Sequence, residues 1–162
     1  PRKIPFEDGA QIPLLGEEHV VCHDPDLKAV AIKAENTIKM GGRPEHLARR
    51  LGDWLRKEAK AEIQPRAQTM AAELDRKIGR ITVRDTKSRW GSCAPNGNLS
   101  FCWRLILTPE WVLDYVVAHE VSHLRHMDHS AAFWQTVAGF DVQVEAARAW
   151  LNTNAEQLQR YG

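Results

Sequence analysis

A strongly apolar run between residues 112 and 117 leads directly into polar residues with helical spacing. His119, Glu120 and His123 continue the 3.6-residue period that the preceding apolar side chains establish. A run with so few polar positions is typical of a helix buried in a protein core. The pattern therefore predicts a buried helix whose last turns carry two histidines and a glutamate.

Residues on either side mark where this helix starts and stops. Thr108, Pro109 and Glu110 combine a hydroxyl cap, a proline at the first helical position and an acid in the first turn. Ser130 has the character of a cap for a following helix. We predict that the first helix starts at the Thr108 cap and breaks near His126, and that the chain then folds back.

Residues 1–42 follow a period of two instead. Turn residues separate their short apolar segments, and apolar and polar positions alternate within the segments as they do in half-buried strands. The predicted strands cover residues 12–15, 19–23, 29–33 and 37–40. We expect these strands to form a small antiparallel sheet.

The remaining chain is predicted to contain further helices and a second sheet. Residues 43–74 show a helical apolar stripe, which Pro65 is expected to break or kink. Asn96 and Gly97 form a hairpin-turn signal within the second sheet. Its predicted strands cover residues 81–85, 90–94 and 99–107. The predicted C-terminal helices cover residues 130–138 and a segment that Asp141 caps.

The histidine pair has the spacing of a metal site. On a helix, His119 and His123 lie about 6 Å apart along the axis and project toward a common point. Zinc accepts neutral imidazole nitrogens, and a catalytic zinc has three protein ligands with the fourth position left for water. Glu120 has the side chain needed to take a proton from that water. The H-E-x-x-H pattern therefore predicts a catalytic zinc site.

Three residues compete for the role of third ligand. His126 shares the helix face but lies about 4.5 Å beyond His123 along the axis, away from the point where the first two histidines converge. His129 follows the predicted break, where a turn can bring it back to the metal. Glu145 is a further acidic candidate. We favour His129 and keep the other two as alternatives.

Composition describes an ordinary globular protein and gives little direction about partners. The chain has 162 residues, of which 43% are hydrophobic and 27% charged, and its formal net charge is +1. Three cysteines without the spacing of a disulfide framework fit a reducing compartment, so we expect a cytoplasmic protein. No apolar run is long enough to cross a membrane, and we expect no membrane partner. Cys93 and Cys102 are interpreted as buried residues of the sheet.

Several motifs occur in one order between residues 80 and 135. They are Arg89–Cys93, Asn98, Trp103–Leu107, His119–Ser130 and Phe133–Trp134. This combination closely resembles the YgjP-like metallopeptidase family, with the WLM and SprT-like zincins as more distant relatives. The resemblance implies an α+β, zincin-like catalytic domain in which a small antiparallel sheet precedes the HExxH helix. It implies the zinc ligands His119, His123 and His129 and the catalytic acid/base Glu120.

These inferences predict a zinc metallopeptidase that hydrolyses peptide or protein substrates. Its catalytic domain is expected to cover residues 43–162, with residues 1–42 as an N-terminal β extension packed on it. The metzincins share the ligand spacing, but they have glycine where this chain has His126 and need a methionine turn after the third histidine. No methionine follows Met127, so we set that family aside.

Two other functions stay open at this point. Family resemblance also suggests a metal-dependent nucleoside triphosphate pyrophosphatase, in which Arg89 and Arg104 would stabilise phosphate charge. The chain has no glycine-rich phosphate cradle, which weakens this alternative. The other alternative is a DNA-associated zinc module of the SprT or WLM type, for which salt-dependent DNA binding would be the test.

Residues near the second sheet have both a functional and a structural interpretation. Arg89, Arg104 and Asn98 could stabilise a developing oxyanion, whereas an ion pair or a turn explains them equally well. Trp90 is interpreted as a core aromatic. We further hypothesise that an edge strand within residues 91–107 holds an extended peptide by backbone pairing, as in the zincins that the chain resembles.

Overall fold

The computed structural model describes residues 1–162, with two small sheets and four helices. This content confirms the predicted α+β class. None of the helices combines the length and the apolar composition that crossing a lipid bilayer requires. The strands are β1 (Gln11–Leu14), β2 (Glu17–His23), β3 (Ala31–Ala34), β4 (Thr37–Met40), β5 (Ile81–Arg84), β6 (Gly91–Cys93) and β7 (Leu99–Cys102). The helices are α1 (Leu47–Glu73), α2 (Glu110–Ser122), α3 (Ala131–Ala138) and α4 (Val144–Leu158).

The first sheet contains the four predicted N-terminal strands but is mixed rather than antiparallel. Its order is β1-β2-β4-β3, and β4 runs parallel to β2. The fully buried side chains of Ile38 and Met40 belong to β4, whereas Ile32 of β3 is 42% exposed. The better-buried strand therefore takes the inner position, and the prediction of a purely antiparallel sheet was wrong. The division of the chain at residue 42 stays a prediction.

Helix α1 continues through Pro65, so of the two outcomes predicted there, a break or a kink, the break was wrong. One side chain per turn is buried along its full length, and this stripe packs into the main hydrophobic core. Proline inside a helix costs about 3 kcal/mol, which packing along seven turns can offset. The buried stripe comprises Leu47, Leu51, Leu55, Ala59, Ile63, Ala67 and Ala71.

The second sheet contacts α1 through β5 and the histidine-bearing helix α2 through β6. Its order is β5-β7-β6, with β6 antiparallel and β5 parallel to β7, so the prediction of an antiparallel sheet was wrong for β5. The buried residues of β7 explain its central position. This strand ends at Cys102, and the segment predicted to continue it, residues 103–107, is a buried 3-10 turn.

Arg104 in that 3-10 turn ties the second sheet to the C-terminus. Its guanidinium, 2% exposed, pairs with Asp85 and donates hydrogen bonds to the carbonyl oxygens of Leu158 at 3.1 Å and Tyr161 at 2.9 Å. Burial alone would raise the pKa of the Asp85 carboxyl, but the hydrogen bond and charge of Arg104 hold that pKa below its usual value. Arg104 is therefore a structural residue.

Replacing Arg104 by methionine should lower the free energy of unfolding by about 2–4 kcal/mol, because it leaves the carbonyl oxygens of Leu158 and Tyr161 without their donor and leaves Asp85 with Arg56 alone, at 4.0 Å. Urea denaturation at neutral pH measures this loss. Asp85→Asn should cost less, since Asp85 is exposed to water and Arg104 keeps both carbonyl partners. A loss below 1 kcal/mol for Arg104→Met would contradict the assignment.

Candidate metal centre

Helix α2 carries the first two histidines to the edge of the core. It starts at Glu110 with Pro109 as its cap, and the Thr108 hydroxyl donates to the Leu105 carbonyl oxygen at 2.7 Å instead of capping the helix. The helix ends at Ser122, so the predicted break near His126 comes one turn earlier. Its end places His123 at the C-terminal cap, one turn beyond His119.

A tight turn then returns His129 to this pair, as predicted. One ring nitrogen from each of His119, His123 and His129 lies within 4.8 Å of the other two. The predicted cap forms as well, because the Ser130 hydroxyl accepts a hydrogen bond from the Phe133 N–H at 3.3 Å. A donor set of three imidazoles at this separation fits a single transition-metal ion.

The competing ligands are not part of this cluster. His126 contributes its backbone carbonyl oxygen, which accepts a hydrogen bond from His123 Nδ1 at 2.9 Å. This bond leaves Nε2 of His123 free and fixes the orientation of its ring, a common arrangement for metal-binding histidines. Burial lowers the pKa of His123, which favours the neutral imidazole. Glu145 lies on the exposed side of α4 and does not belong to the cluster.

Aromatic side chains from α3 enclose the histidines. The Phe133 ring stacks on His123 with centroids 4.4 Å apart and an interplanar angle of 24°. The Trp134 ring lies 5.6 Å from His119 and stacks on His129 at 6.0 Å. The sequence predicted Phe133 and Trp134 only as core residues, whereas the structure shows that they also limit the movement of the imidazole rings.

Glu120 is buried next to the histidine cluster and is 5% exposed. Its Oε2 accepts a hydrogen bond from His119 Nδ1 at 3.1 Å. Strand β6 passes close to it. A Cβ atom added at Gly91 would lie 2.8 Å from Glu120 Cγ, closer than such contacts allow. Burial and the charge of Glu120 raise the pKa of Cys93 to about 11, which keeps that thiol protonated.

A cleft of about 290 Å³ opens beside Glu120 and His119. Arg89 lines it, in agreement with the functional interpretation of that residue, and so does Trp90, which was interpreted as a core aromatic. Tyr115, Arg148 and Asn152 also line it and were not predicted to do so. Burial and, to a lesser extent, the charge of Glu120 raise the pKa of Tyr115 to about 12 against the lowering effect of the Arg148 charge, so its hydroxyl stays protonated. Arg148 comes from α4 and had no motif around it that could have identified it.

Two residues with proposed roles in the site lie elsewhere. Arg104 is buried in the core and serves the C-terminus, so it cannot stabilise charge on a substrate. Asn98 accepts a hydrogen bond from the Arg80 N–H at 2.8 Å and is a structural residue of the hairpin. The pyrophosphatase alternative thereby loses one of its two arginines.

Comparisons with known proteins agree with this geometry. The family model described as the YgjP-like metallopeptidase domain matches residues 1–154. No curated protein sequence matches the chain. Among solved structures, the crystal structure of the metallopeptidase zymogen abylysin from Pyrococcus abyssi matches with a TM-score of 0.50 and 19% identity, covering 61% of this chain and 97% of that chain. The abylysin match shows a shared fold.

The family match spans both sheets, all the histidines of the cluster and Glu120. The family description names a metallopeptidase, an activity that a three-histidine cluster beside a buried glutamate can support. The chain belongs to the YgjP-like metallopeptidase family.

Proposed function

We propose that this protein is a zinc-dependent peptidase in which His119, His123 and His129 bind the metal and Glu120 is the general acid/base. The observation that supports this most directly is the convergence of three histidine nitrogens within 4.8 Å, next to the buried carboxylate of Glu120. All three donors are imidazoles, a set that suits Zn²⁺. When bound, the ion would polarise the scissile carbonyl and lower the pKa of a water molecule.

Glu120 performs the proton transfers of the proposed reaction. Its carboxylate accepts the proton of the attacking water and later donates a proton to the leaving amine nitrogen. The cleft beside it leaves room for a substrate, while the close approach of Gly91 holds the carboxylate in one place. A fixed base needs no reorganisation when the proton moves, which favours catalysis.

Strand β6 offers an edge where a peptide substrate can pair. The residues that flank β6 are bonded on the side of β7. The Trp90 carbonyl oxygen accepts a hydrogen bond from the Cys102 N–H at 2.9 Å, and the Ala94 N–H donates to the Asn98 carbonyl oxygen at 2.9 Å. In an antiparallel pair, the backbone N–H and C=O groups of successive residues point alternately toward the partner strand and away from it. The backbone groups of Gly91 and Cys93 therefore point away from β7, toward an open edge. We propose that an extended peptide pairs with these groups.

The proposed substrates are peptides or unfolded proteins, and the proposed location is the cytoplasm. All three cysteines, Cys22, Cys93 and Cys102, are free thiols in the structure. Free thiols fit a reducing compartment, which supports the proposed location.

Glu120→Gln should keep the bound zinc and lose peptide hydrolysis by about 10²–10⁴-fold, because the amide cannot accept the proton of the attacking water. Hydrolysis of an unfolded protein and of nucleoside triphosphates is measured side by side on wild type and variant, together with metal content. Full peptidase activity in the variant would refute the mechanism. Nucleotide turnover without peptide cleavage would move the function to pyrophosphate hydrolysis.

His129→Ala should weaken zinc binding by more than about 100-fold, since it removes a ligand rather than a residue that only orients one. Competition with a metal-binding dye measures the affinity. His126→Ala is the matched control, because it keeps the backbone carbonyl that holds His123 and should bind zinc as the wild type does. Equal zinc affinity of the two variants would mean that His129 is not the third ligand, and that another candidate takes its place.

A further inference from the structure

The face of the second sheet that points away from α2 carries arginines with no acidic partner. Polar residues of all three strands share this outer face, which bounds a cavity of about 270 Å³. The residues that matter here are Arg80, Thr82, Arg84, Arg89, Ser92 and Ser100. No acidic residue lines the cavity, and none of its three arginines takes part in a salt bridge or donates a side-chain hydrogen bond.

The cleft on the metal side of the same strand is also cationic. Arg89 and Arg148 both line it, and Glu120 is its only acid. The Arg148 guanidinium lies 5.0 Å from the centre of the Trp134 ring and makes no salt bridge. Because Arg89 lines both the cleft and the outer cavity, it stands at the point where the two meet.

Strand β6 separates these two cationic spaces. Gly91 faces Glu120 on the inner side, whereas Ser92 is paired with Ser100 and points to the outer cavity. A peptide that adds to the edge of β6 has the same alternation, so successive side chains point to opposite sides of the sheet. One substrate side chain then enters the cleft near Arg148, and the next points toward Arg89 and the outer cavity.

We propose that the enzyme selects acidic peptide segments, with one substrate carboxylate bound by Arg148 in the cleft and the next bound by Arg89 at the outer cavity. The inference rests on the proposed function, because it uses the pairing of the substrate with β6. Guanidinium groups bind carboxylates by paired hydrogen bonds, and unpaired ones are available for this. Arg80 and Arg84 lie farther from the β6 edge and add positive electrostatic potential to the outer cavity.

The local charge is much larger than the net charge of the chain suggests. Residues 76–89 contain six basic residues and one acid, Asp85, which is already paired with Arg104. The basic residues are Arg76, Lys77, Arg80, Arg84, Lys87 and Arg89. A nucleic acid is also anionic, but single strands usually stack their bases on exposed aromatic rings. The one aromatic residue that lines the outer cavity, Phe101, is 1% exposed, which favours the peptide.

The test uses peptides of one sequence that carry Glu, Gln or Lys at two successive positions around the cleavage site. Wild type should cleave the Glu peptide with a kcat/KM roughly tenfold higher than the Gln peptide, as expected for a hydrogen bond to a charged group near solvent. Binding of the labelled peptides to zinc-loaded Glu120→Gln, measured by fluorescence anisotropy, should show the same order without turnover. The preference should weaken as salt is added.

Variants assign the preference to the two arginines. Arg148→Gln and Arg89→Gln should each reduce the ratio between Glu and Gln peptides, and Arg148→Glu should shift it toward the Lys peptide. Arg49→Gln is the matched control, since it removes the same charge from an exposed position on α1 and should leave the ratio unchanged. A ratio that falls equally in Arg49→Gln would mean that only net charge matters, which overturns the assignment.

The outcomes separate this inference from the proposed function. Equal cleavage and equal binding of the Glu and Gln peptides would overturn the preference and leave the peptidase intact. Preferential binding of the Glu peptide without cleavage of any peptide would support the acidic ligand and refute the proposed reaction. If single-stranded DNA binds through Arg89 and Arg148 while the Glu and Gln peptides bind equally, the arginines serve a nucleic acid and the proposal is wrong.

Discussion

The structure depends on burying a helix that is apolar on nearly every side while keeping a cleft open beside His119 and Glu120 near its C-terminal end. Helix α2 has no solvent face along most of its length, so α1, the second sheet, α3 and α4 surround it. The hydrophobic effect alone would close that enclosure completely. Polar groups at the C-terminal end of the helix prevent this, because Glu120 and His119 need polar surroundings and a cleft remains beside them. The candidate site is thus a gap between α2 and the elements that pack around it.

The parts of the site that the sequence predicted all follow from local rules. Helical spacing places His119 beside His123, and the Ser130 cap fixes where the chain turns, so a cluster of three histidines could be predicted within eleven residues. Local rules also identified every strand of the N-terminal sheet within one or two residues. The same rules could not decide which strand pairs with which, because pairing depends on burial against elements that are distant in sequence. Both sheets therefore contain a parallel pair that the hairpin signals did not predict.

The arginines show that the sequence is equally limited in predicting the roles of single side chains. Arg104 and Arg89 are both close to the second sheet in sequence, yet one is buried as a link to the C-terminus and the other is free at the edge of the cleft. Arg148 reaches the cleft from α4, nineteen residues after the last histidine of the cluster. Only the fold distinguishes an arginine that holds the protein together from one that lines an open cleft.

Gly91 shows how closely the free edge of β6 and the buried carboxylate of Glu120 depend on each other. The backbone of β6 approaches Glu120 so closely that position 91 has no room for a side chain. Strand β6 has only three residues, and Gly91 is one of the two whose backbone groups point away from β7. Substitutions on β6 are consequently easier on the side of the strand that faces away from Glu120. During evolution, such a strand can change its side chains on that side while the side that faces Glu120 stays fixed.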